Sequence, residues 1–527
     1  MRQSTGRGRR SRSGAESRMS RSAGAPLRKS PPLRKSKGSV VSLLRFSPRP
    51  WRFRPSLRIS GGGRSSLRGW SGMEVFLPGE ERMAETAERR VQAISWNLTK
   101  RCNQRCAHCY MSAFPGADRS AEFSRDECLG VVDQMAEVNP NAFLILTGGE
   151  PLVRHDLFDI AENASKRGFT VVLGTNGVLL DGRVAERMKA SGIQGASVSL
   201  DSVDPERHDQ FRGLPGGWEK AVRAMRLLEE AGLPFSLHFS AMEWNAEELP
   251  AMVDFARERG AQVLNVFFLV RTGRGEGFGE LPAPRCEDAL RFLARVQGVN
   301  GNGEGPGERT REGDDLLIRA KCAPHFRRVV YEADPASPLL SDYANGGCPA
   351  GREYCRIGPS GEVTPCPYVS LSAGNLRDKP FGEIWRSSSL LSHYRSGELK
   401  GRCGRCEFRE VCGGCRCRAY AAKGDVMAED PACAYEPPGD VPLVRFSEEG
   451  RFGLEVERGF PWTAEARERL SRIPSFARGM VAKSVEDYAR ERGVSSVTAD
   501  LMKEAREALL PRSLMPGFVR DRLGGGQ

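Results

Sequence analysis

From Ala93 to Leu269, short apolar runs alternate with longer amphipathic stretches. The runs Ala93–Leu98, Phe143–Leu146, Thr170–Leu173, Ala196–Leu200, Phe235–Phe239 and Val263–Leu269 predict six strands. The segments between them read as helices. One opens at Ser124 with Glu127 three residues on, a capping-box pattern, and another places Ala221, Met225 and Leu228 on one face. Strand–helix units in series predict an α/β fold with a parallel sheet and right-handed crossovers. Six units make three-quarters of a (β/α)8 barrel, a partial (β/α)6 TIM-like barrel, whose active groups belong at the C-terminal ends of the strands.

Beyond the sixth strand the periodicity fades. Residues 298–320 include the Gly-rich, charged stretch Gly298–Gly313 and read as a mobile linker. Residues 321–440 hold most of the remaining cysteines and few long periodic segments, as expected where metal ligation replaces part of a hydrophobic core. Residues 441–527 contain no cysteine and read as a small helical unit. There Met480 or Val481, Val485 and Tyr488 align on a helix that Gly493 can terminate, and a further helix follows Thr498 with Leu501, Ala505 and Leu509 inward.

Charge changes the picture at the N-terminus. Residues 1–72 carry 19 Lys and Arg and one acid, Glu16, so the formal +12 of the 527-residue chain leaves −6 for the remainder. A mildly acidic body does not support a basic nucleic-acid groove, and no nucleic-acid partner is expected. The Arg/Ser/Gly/Pro-rich tail reads as disordered, or as the product of a mis-assigned start with Met73 or Met83 first. An organelle transit peptide shares its bias but is the less favoured reading. No apolar run approaches the ~18–20 residues that span a bilayer, so no membrane span is expected and the chain reads as soluble. Fifteen cysteines in a long chain without a secretion signal, clustered at ligand spacings, point to metal ligation and a reducing cytoplasm.

The sharpest chemistry lies in Asn97-Leu-Thr-Lys-Arg-Cys-Asn-Gln-Arg-Cys-Ala-His-Cys-Tyr110, directly after the first strand. Cys102, Cys106 and Cys109 are one thiolate short of closing a [4Fe–4S] cluster, so one iron stays open for a ligand. A lone CxxxCxxC would also suit a zinc loop. The segment Gly148-Gly149-Glu150-Pro151 follows the second strand, Thr175-Asn176-Gly177 ends the third, and Ser199 and Asp201 end the fourth. This ordered set, over about residues 90–297, resembles the core of radical S-adenosylmethionine (SAM) enzymes. The resemblance implies that the three cysteines carry catalysis by holding a SAM-binding [4Fe–4S] cluster. It further implies that Gly148, Gly149 and Glu150 meet the SAM amino group and that Ser199 and Asp201 meet the ribose. Asn176 and Tyr110 are further candidates for cofactor contact, and His108 takes a position usually filled by an aromatic ring.

A second field comprises Cys348, Gly361 and Cys366, then Cys403-x2-Cys406-x5-Cys412-x2-Cys415, and finally Cys433. It resembles the SPASM domain that binds auxiliary [4Fe–4S] clusters, and one or two are expected. Carried over, the family's wiring assigns Cys348, Cys366 and Cys415 to one cluster with Cys355 as fourth ligand. Cys403, Cys406, Cys412 and Cys433 go to the other. Cys417 competes with Cys415, because two residues stand where the family often has three. Two CxxC knuckles also suit zinc. Cys128 and Cys286 read as inert core thiols. Cys322, in Lys321-Cys-Ala-Pro-His-Phe326, is left open as a contact to substrate or to a cluster.

The layout and the Lys-Cys-Ala-Pro-His segment resemble radical SAM enzymes of haem and haem d1 biosynthesis. The tail from Phe460-Pro-Trp-Thr-Ala through Ile473-Pro-Ser-Phe-Ala-Arg-Gly-Met480 to Val497-Thr498 is similar to the C-terminal domain of light-independent protochlorophyllide reductase subunits. Together these imply an oxidoreductase- or lyase-type enzyme that cleaves SAM reductively to a 5′-deoxyadenosyl radical and modifies a tetrapyrrole side chain. A ferredoxin or flavodoxin would serve as electron donor. A peptide maturase is the alternative enzyme, and a non-catalytic iron–sulfur electron carrier is the alternative from another class.

Overall fold

The computed structural model describes residues 91–299, 316–335, 337, 339–340, 347–445, 460–471, 482, 485–486, 488–490 and 492–509. All of them fall within one compact unit, Phe76–Gln527. The N-terminal tail, residues 300–315 of the expected linker, and Met480 and Val481 lie outside the described residues.

The six expected strands form as β1 (Ala93–Asn97), β2 (Phe143–Thr147), β3 (Thr170–Thr175), β4 (Ile193–Ser199), β5 (Phe235–Ala241) and β6 (Val263–Phe268), each pair of neighbours parallel. Side chains on one face of this sheet bury against the crossover helices. Ile94, Trp96, Leu144, Leu146, Val171, Leu173, Leu237 and Phe239 anchor that core. Strand alternation sends Asn97, Thr147, Ser197, Ser199, His238 and Ser240 to the other, polar face.

The helix Arg125–Ala136 starts where the sequence placed it. Ser124 accepts from the Glu127 backbone N–H and the Glu127 carboxylate accepts from the Ser124 N–H, closing the capping box. In the helix Gly217–Glu230, Ala221, Met225 and Leu228 are buried together as their spacing requires.

Two features extend the expected barrel. Leu317–Lys321 forms a seventh parallel strand, β7, beside β6. It arises within the stretch expected as linker and auxiliary domain. On the opposite side, β8 (Tyr354–Ile357) pairs parallel with β1, and β9 (Glu362–Thr364) and β10 (Gly374–Asn375) follow antiparallel. The sheet order is β10-β9-β8-β1-β2-β3-β4-β5-β6-β7, so the sheet stays open, a partial barrel lengthened at both edges. The auxiliary region therefore shares the core's backbone ladder. In the C-terminal region Ala466, Val485, Tyr488, Val497, Leu501 and Ala505 form a separate small core. Among the described residues no helix is long and apolar enough to cross a membrane.

Candidate functional site

Cys102, Cys106 and Cys109 lie on the loop that leaves the C-terminal end of β1. The loop after β2 holds it from one side. Gly149 N–H donates to the Thr99 carbonyl (2.7 Å) and Glu150 N–H to the Arg101 carbonyl (2.9 Å). The approach is close enough that a Cβ on Gly149 would stand 2.1 Å from the Arg101 oxygen, which explains the second glycine. The loop after β6 holds the other side. Arg274 donates from its backbone to the Cys109 carbonyl (3.1 Å) and from Nε to the Cys106 carbonyl (2.8 Å). Gly273 has φ +58°, and a Cβ there would lie 2.3 Å from the Tyr110 oxygen.

Burial pushes the Cys102 thiol up to about 12, with Glu150, Cys106 and Cys109 adding to the rise. Burial also raises Cys106, while Arg212 opposes it from 4.0 Å. Cys102 and Cys106 both lie within reach of the Cys109 charge, which puts the three on one site. Apolar burial disfavours bare thiolates, whereas a bound cationic centre deprotonates coordinating thiols outright. Three soft sulfur donors on one pinned loop fit an iron–sulfur cluster.

Glu150 is fully buried, which pushes its carboxyl up to about 7 against three donors. Those donors are Asn176 N–H (2.8 Å), Leu152 N–H (3.1 Å) and the Thr175 hydroxyl (2.9 Å). The side chain thus ties the end of β2 to the end of β3. Asn176 in turn donates to the Asn103 side chain (2.7 Å) within the cysteine loop. Ser199 is half-buried at the end of β4. Asp201 is buried too, which disfavours its charge, yet Arg212, His108 and His208 together hold its carboxyl down to about 2. Arg212 Nη2 stands 2.7 Å from Asp201, and Ser240 N–H donates to it (3.0 Å). His108 stacks on Phe211 at 4.8 Å and approaches Asp201 to 3.6 Å. Neither carboxylate is a free side chain reaching into open space. Sequence reasoning did not single out Arg212, because nothing in its helical spacing marks a cation that will be buried.

Tyr110 accepts from the Asn97 amide (2.7 Å) and meets Tyr368 edge-on at 5.5 Å. It thereby joins the cysteine loop to the auxiliary region.

In that region the structure brings together Cys322, Cys348, Cys366, Cys415 and Cys417. Hydrogen bonding from Cys322, Cys348 and Cys417 holds the Cys415 thiol well below its usual range. Cys417 also reaches Cys366. Cys355 is not brought to this group. It is fully buried in the helix-facing core beside Ile94, its strand partner, whereas its neighbour Tyr354 faces the thiols. The cause is the two-residue period of β8, which residue spacing alone does not reveal. Cys322 stands where Cys355 was expected. It adopts φ +59°, and its carbonyl accepts from Arg418 (2.9 Å). Cys128 and Cys286 are core thiols, as expected.

Cys403, Cys406, Cys412 and Cys433 form a second thiol set and line a cavity together with His325 and Asp430. Asp430 and Arg418 form a buried ion pair at 3.3 Å, and Asp430 accepts from the Cys415 N–H (2.7 Å) while its own N–H points at the Cys403 sulfur (3.5 Å). Arg418 also donates to the Phe268 carbonyl (3.1 Å) at the end of β6. This pair links both thiol sets to the barrel. Among the described residues no three His, Cys, Asp or Glu side chains converge as tightly as a single ion requires. The donor sets, thiol throughout, suit iron–sulfur clusters.

Comparison with known proteins agrees with this arrangement. The profile described as Radical SAM superfamily matches residues 96–256, the iron–sulfur cluster-binding domain SPASM matches residues 348–416, and the proto-chlorophyllide reductase 57 kD subunit profile matches residues 462–506. The AdoMet-dependent heme synthase of Methanosarcina barkeri is 37% identical over 352 residues, covering 65% of this chain and 96% of that protein. The Fe-coproporphyrin III synthase of the same organism is 30% identical over 358 residues, covering 64% of this chain and 87% of that protein. Among solved structures, Streptococcus suis SuiB bound to precursor peptide SuiA shares the fold with a TM-score of 0.54 at 16% identity, over 70% of this chain and 85% of that one.

Proposed function

This chain belongs to the radical SAM superfamily and is a radical SAM enzyme with an iron–sulfur SPASM region, and from that premise we propose that it modifies a propionate or similar side chain of an iron tetrapyrrole. Cys102, Cys106 and Cys109 would hold the cluster, which together with SAM would supply a 5′-deoxyadenosyl radical for hydrogen abstraction. The residues around that site position and shield. Gly148 and Gly149 let the backbone approach closely, Glu150 braces the ends of β2 and β3, and Asp201 and Arg212 fix the wall beside Cys106. Ser199, Asn176 and Tyr110 remain candidate contacts of the cofactor.

The auxiliary thiols form two sets in this reading. Cys322, Cys348, Cys366 and one of Cys415 and Cys417 hold one [4Fe–4S] cluster, and Cys403, Cys406, Cys412 and Cys433 hold the other. A ferredoxin- or flavodoxin-type protein supplies the electron.

The observation that carries the substrate assignment is the 37% identity to a heme synthase across 96% of that enzyme's length. The structure adds two half-buried basic side chains, Arg319 and Lys321, on the same face of β7, and burial and the neighbouring Arg319 bring the Lys321 amine down to about 7, where an anion would restore its charge. Neither joins an ion pair among the described residues, and an anionic substrate side chain would suit them. The test is anaerobic reconstitution followed by a 5′-deoxyadenosine assay, with optical titration by iron coproporphyrin III. Cleavage of SAM together with a saturable spectral change is expected. A reduced, fully loaded protein that leaves SAM intact overturns the radical step. SAM cleavage without any tetrapyrrole binding overturns the substrate and returns the assignment to a peptide. Lys321→Met should raise KM for the tetrapyrrole while sparing SAM cleavage without substrate.

A further inference from the structure

The segment Lys321–Phe326 touches both auxiliary thiol sets. The positive φ of Cys322 turns the chain so that its thiol joins the set around Cys415, and three residues later His325 lines the cavity of Cys403, Cys406, Cys412 and Cys433. His325 is 1% exposed, and neither ring nitrogen has a hydrogen-bond partner. An imidazole so placed is rare, because a buried polar group without a partner costs about 1–3 kcal/mol. Four thiols already suffice to ligate a [4Fe–4S] cluster there, so the ring is not required as a ligand. A neutral imidazole carries one N–H, and cluster sulfurs and thiolates accept hydrogen bonds.

We propose that His325 is a positioning residue of the second auxiliary cluster, donating its ring N–H to a sulfur of the group held by Cys403, Cys406, Cys412 and Cys433. The proposal rests on the assignment of a cluster to those four thiols. A hydrogen bond to sulfur stabilises the more negative, reduced state and so raises the reduction potential. Arg416 Nη2 at 3.7 Å from the Cys403 sulfur and Gly414 N–H at 3.4 Å from the Cys412 sulfur act in the same direction on the same set. His325 thus adds a donor from a separate part of the chain to those of Arg416 and Gly414.

The experiment uses the reconstituted full chain. Iron and sulfide content comes first, then a redox titration followed by electron paramagnetic resonance, and pulsed resonance for nitrogen coupling to the reduced cluster. In His325→Leu the iron and sulfide should stay at the wild-type level. One auxiliary cluster should shift to lower potential, and a nitrogen coupling should vanish. His325→Gln keeps an N–H donor and should restore most of the potential. If the leucine variant does not fold, the glutamine variant decides: the imidazole nitrogen coupling should be lost while the potential stays near wild type, and an unchanged coupling overturns the inference. The affected signal should be the one that Cys406→Ala removes. Unchanged potential and coupling in His325→Leu overturn the inference. Loss of a cluster's iron from both His325 variants also overturns it, by making the ring a ligand or a fold determinant. Zinc in place of iron at the Cys406-dependent site overturns the cluster assignment itself, a distinct failure.

Discussion

The loop bearing Cys102, Cys106 and Cys109 takes its shape from the barrel. Its carbonyls accept backbone N–H groups from the loops after β2 and β6, and glycines at 149 and 273 permit the approach. The auxiliary thiols are held differently. Short strands and helices separate them, and a buried Arg418–Asp430 pair ties Cys415, Cys403 and the end of β6 together. The first site takes its geometry from the barrel loops, and its three thiols are the set that the proposed SAM-binding cluster requires. The second gathers its thiols from separate short segments that buried charges tie together. Loss of a ligand should therefore cost chemistry at the first site, and chemistry plus fold at the second.

The largest expected effect lies at the first site. Cys106→Ala should reduce 5′-deoxyadenosine formation to background while the auxiliary iron remains, as measured by product chromatography and iron analysis. Cys406→Ala should lose one cluster's iron and impair turnover but retain measurable SAM cleavage. If both variants lose cleavage equally, the contrast between an autonomous first site and a dependent second one breaks. Next comes Asp430→Ala. It leaves Arg418 buried without its counter-charge, a loss of about 3–5 kcal/mol for a broken buried pair, read as an earlier midpoint in chemical unfolding. Arg418 and Asp430 are 1% and 0% exposed at their side chains, so solvent does not screen them.

A smaller effect separates two cysteines that look alike in sequence. Cys322→Ser should release a cluster's iron from the reconstituted protein. Cys355→Ser should keep all of it and cost only the burial of an unpaired hydroxyl, about 1–3 kcal/mol. The reverse result would restore Cys355 as the ligand and leave Cys322 as a packing residue. Spacing counts residues along the chain, while ligation depends on the face a strand presents. That is why the placement of the cysteine triplet on a loop after a strand was legible, and the inward orientation of Cys355, decided by the alternation of β8, was not. The six core strands were legible because their runs are apolar. β7 was not, because Arg319 and Lys321 interrupt its pattern on the polar face. Arg212, Arg418 and Asp430 left no trace in the sequence. A buried charge is identified by its partner, and helical or strand spacing marks neither the Asp430 that meets Arg418 across a turn nor the Phe268 carbonyl far back in the chain.

Ser124→Ala should have the smallest effect and sharpens the contrast from the other end. The capping box was readable from two letters three apart, and such local features cost about 1 kcal/mol when removed. Glu127 does more than cap, however. Its second carboxylate oxygen accepts from Arg377 at 2.6 Å, so this helix start also meets the auxiliary region. Both side chains are more than a third exposed, which limits that ion pair to about 0–1 kcal/mol. A double-mutant cycle between Ser124→Ala and Arg377→Ala, read by chemical unfolding, should give near-additive losses, because the first removes the acceptor of the Glu127 backbone N–H and the second a donor to its carboxylate. Iron content should remain unchanged in all three variants. Iron loss from Arg377→Ala would mean that the auxiliary region relies on the barrel's outer helices as well as on β8, Arg418 and its own thiols.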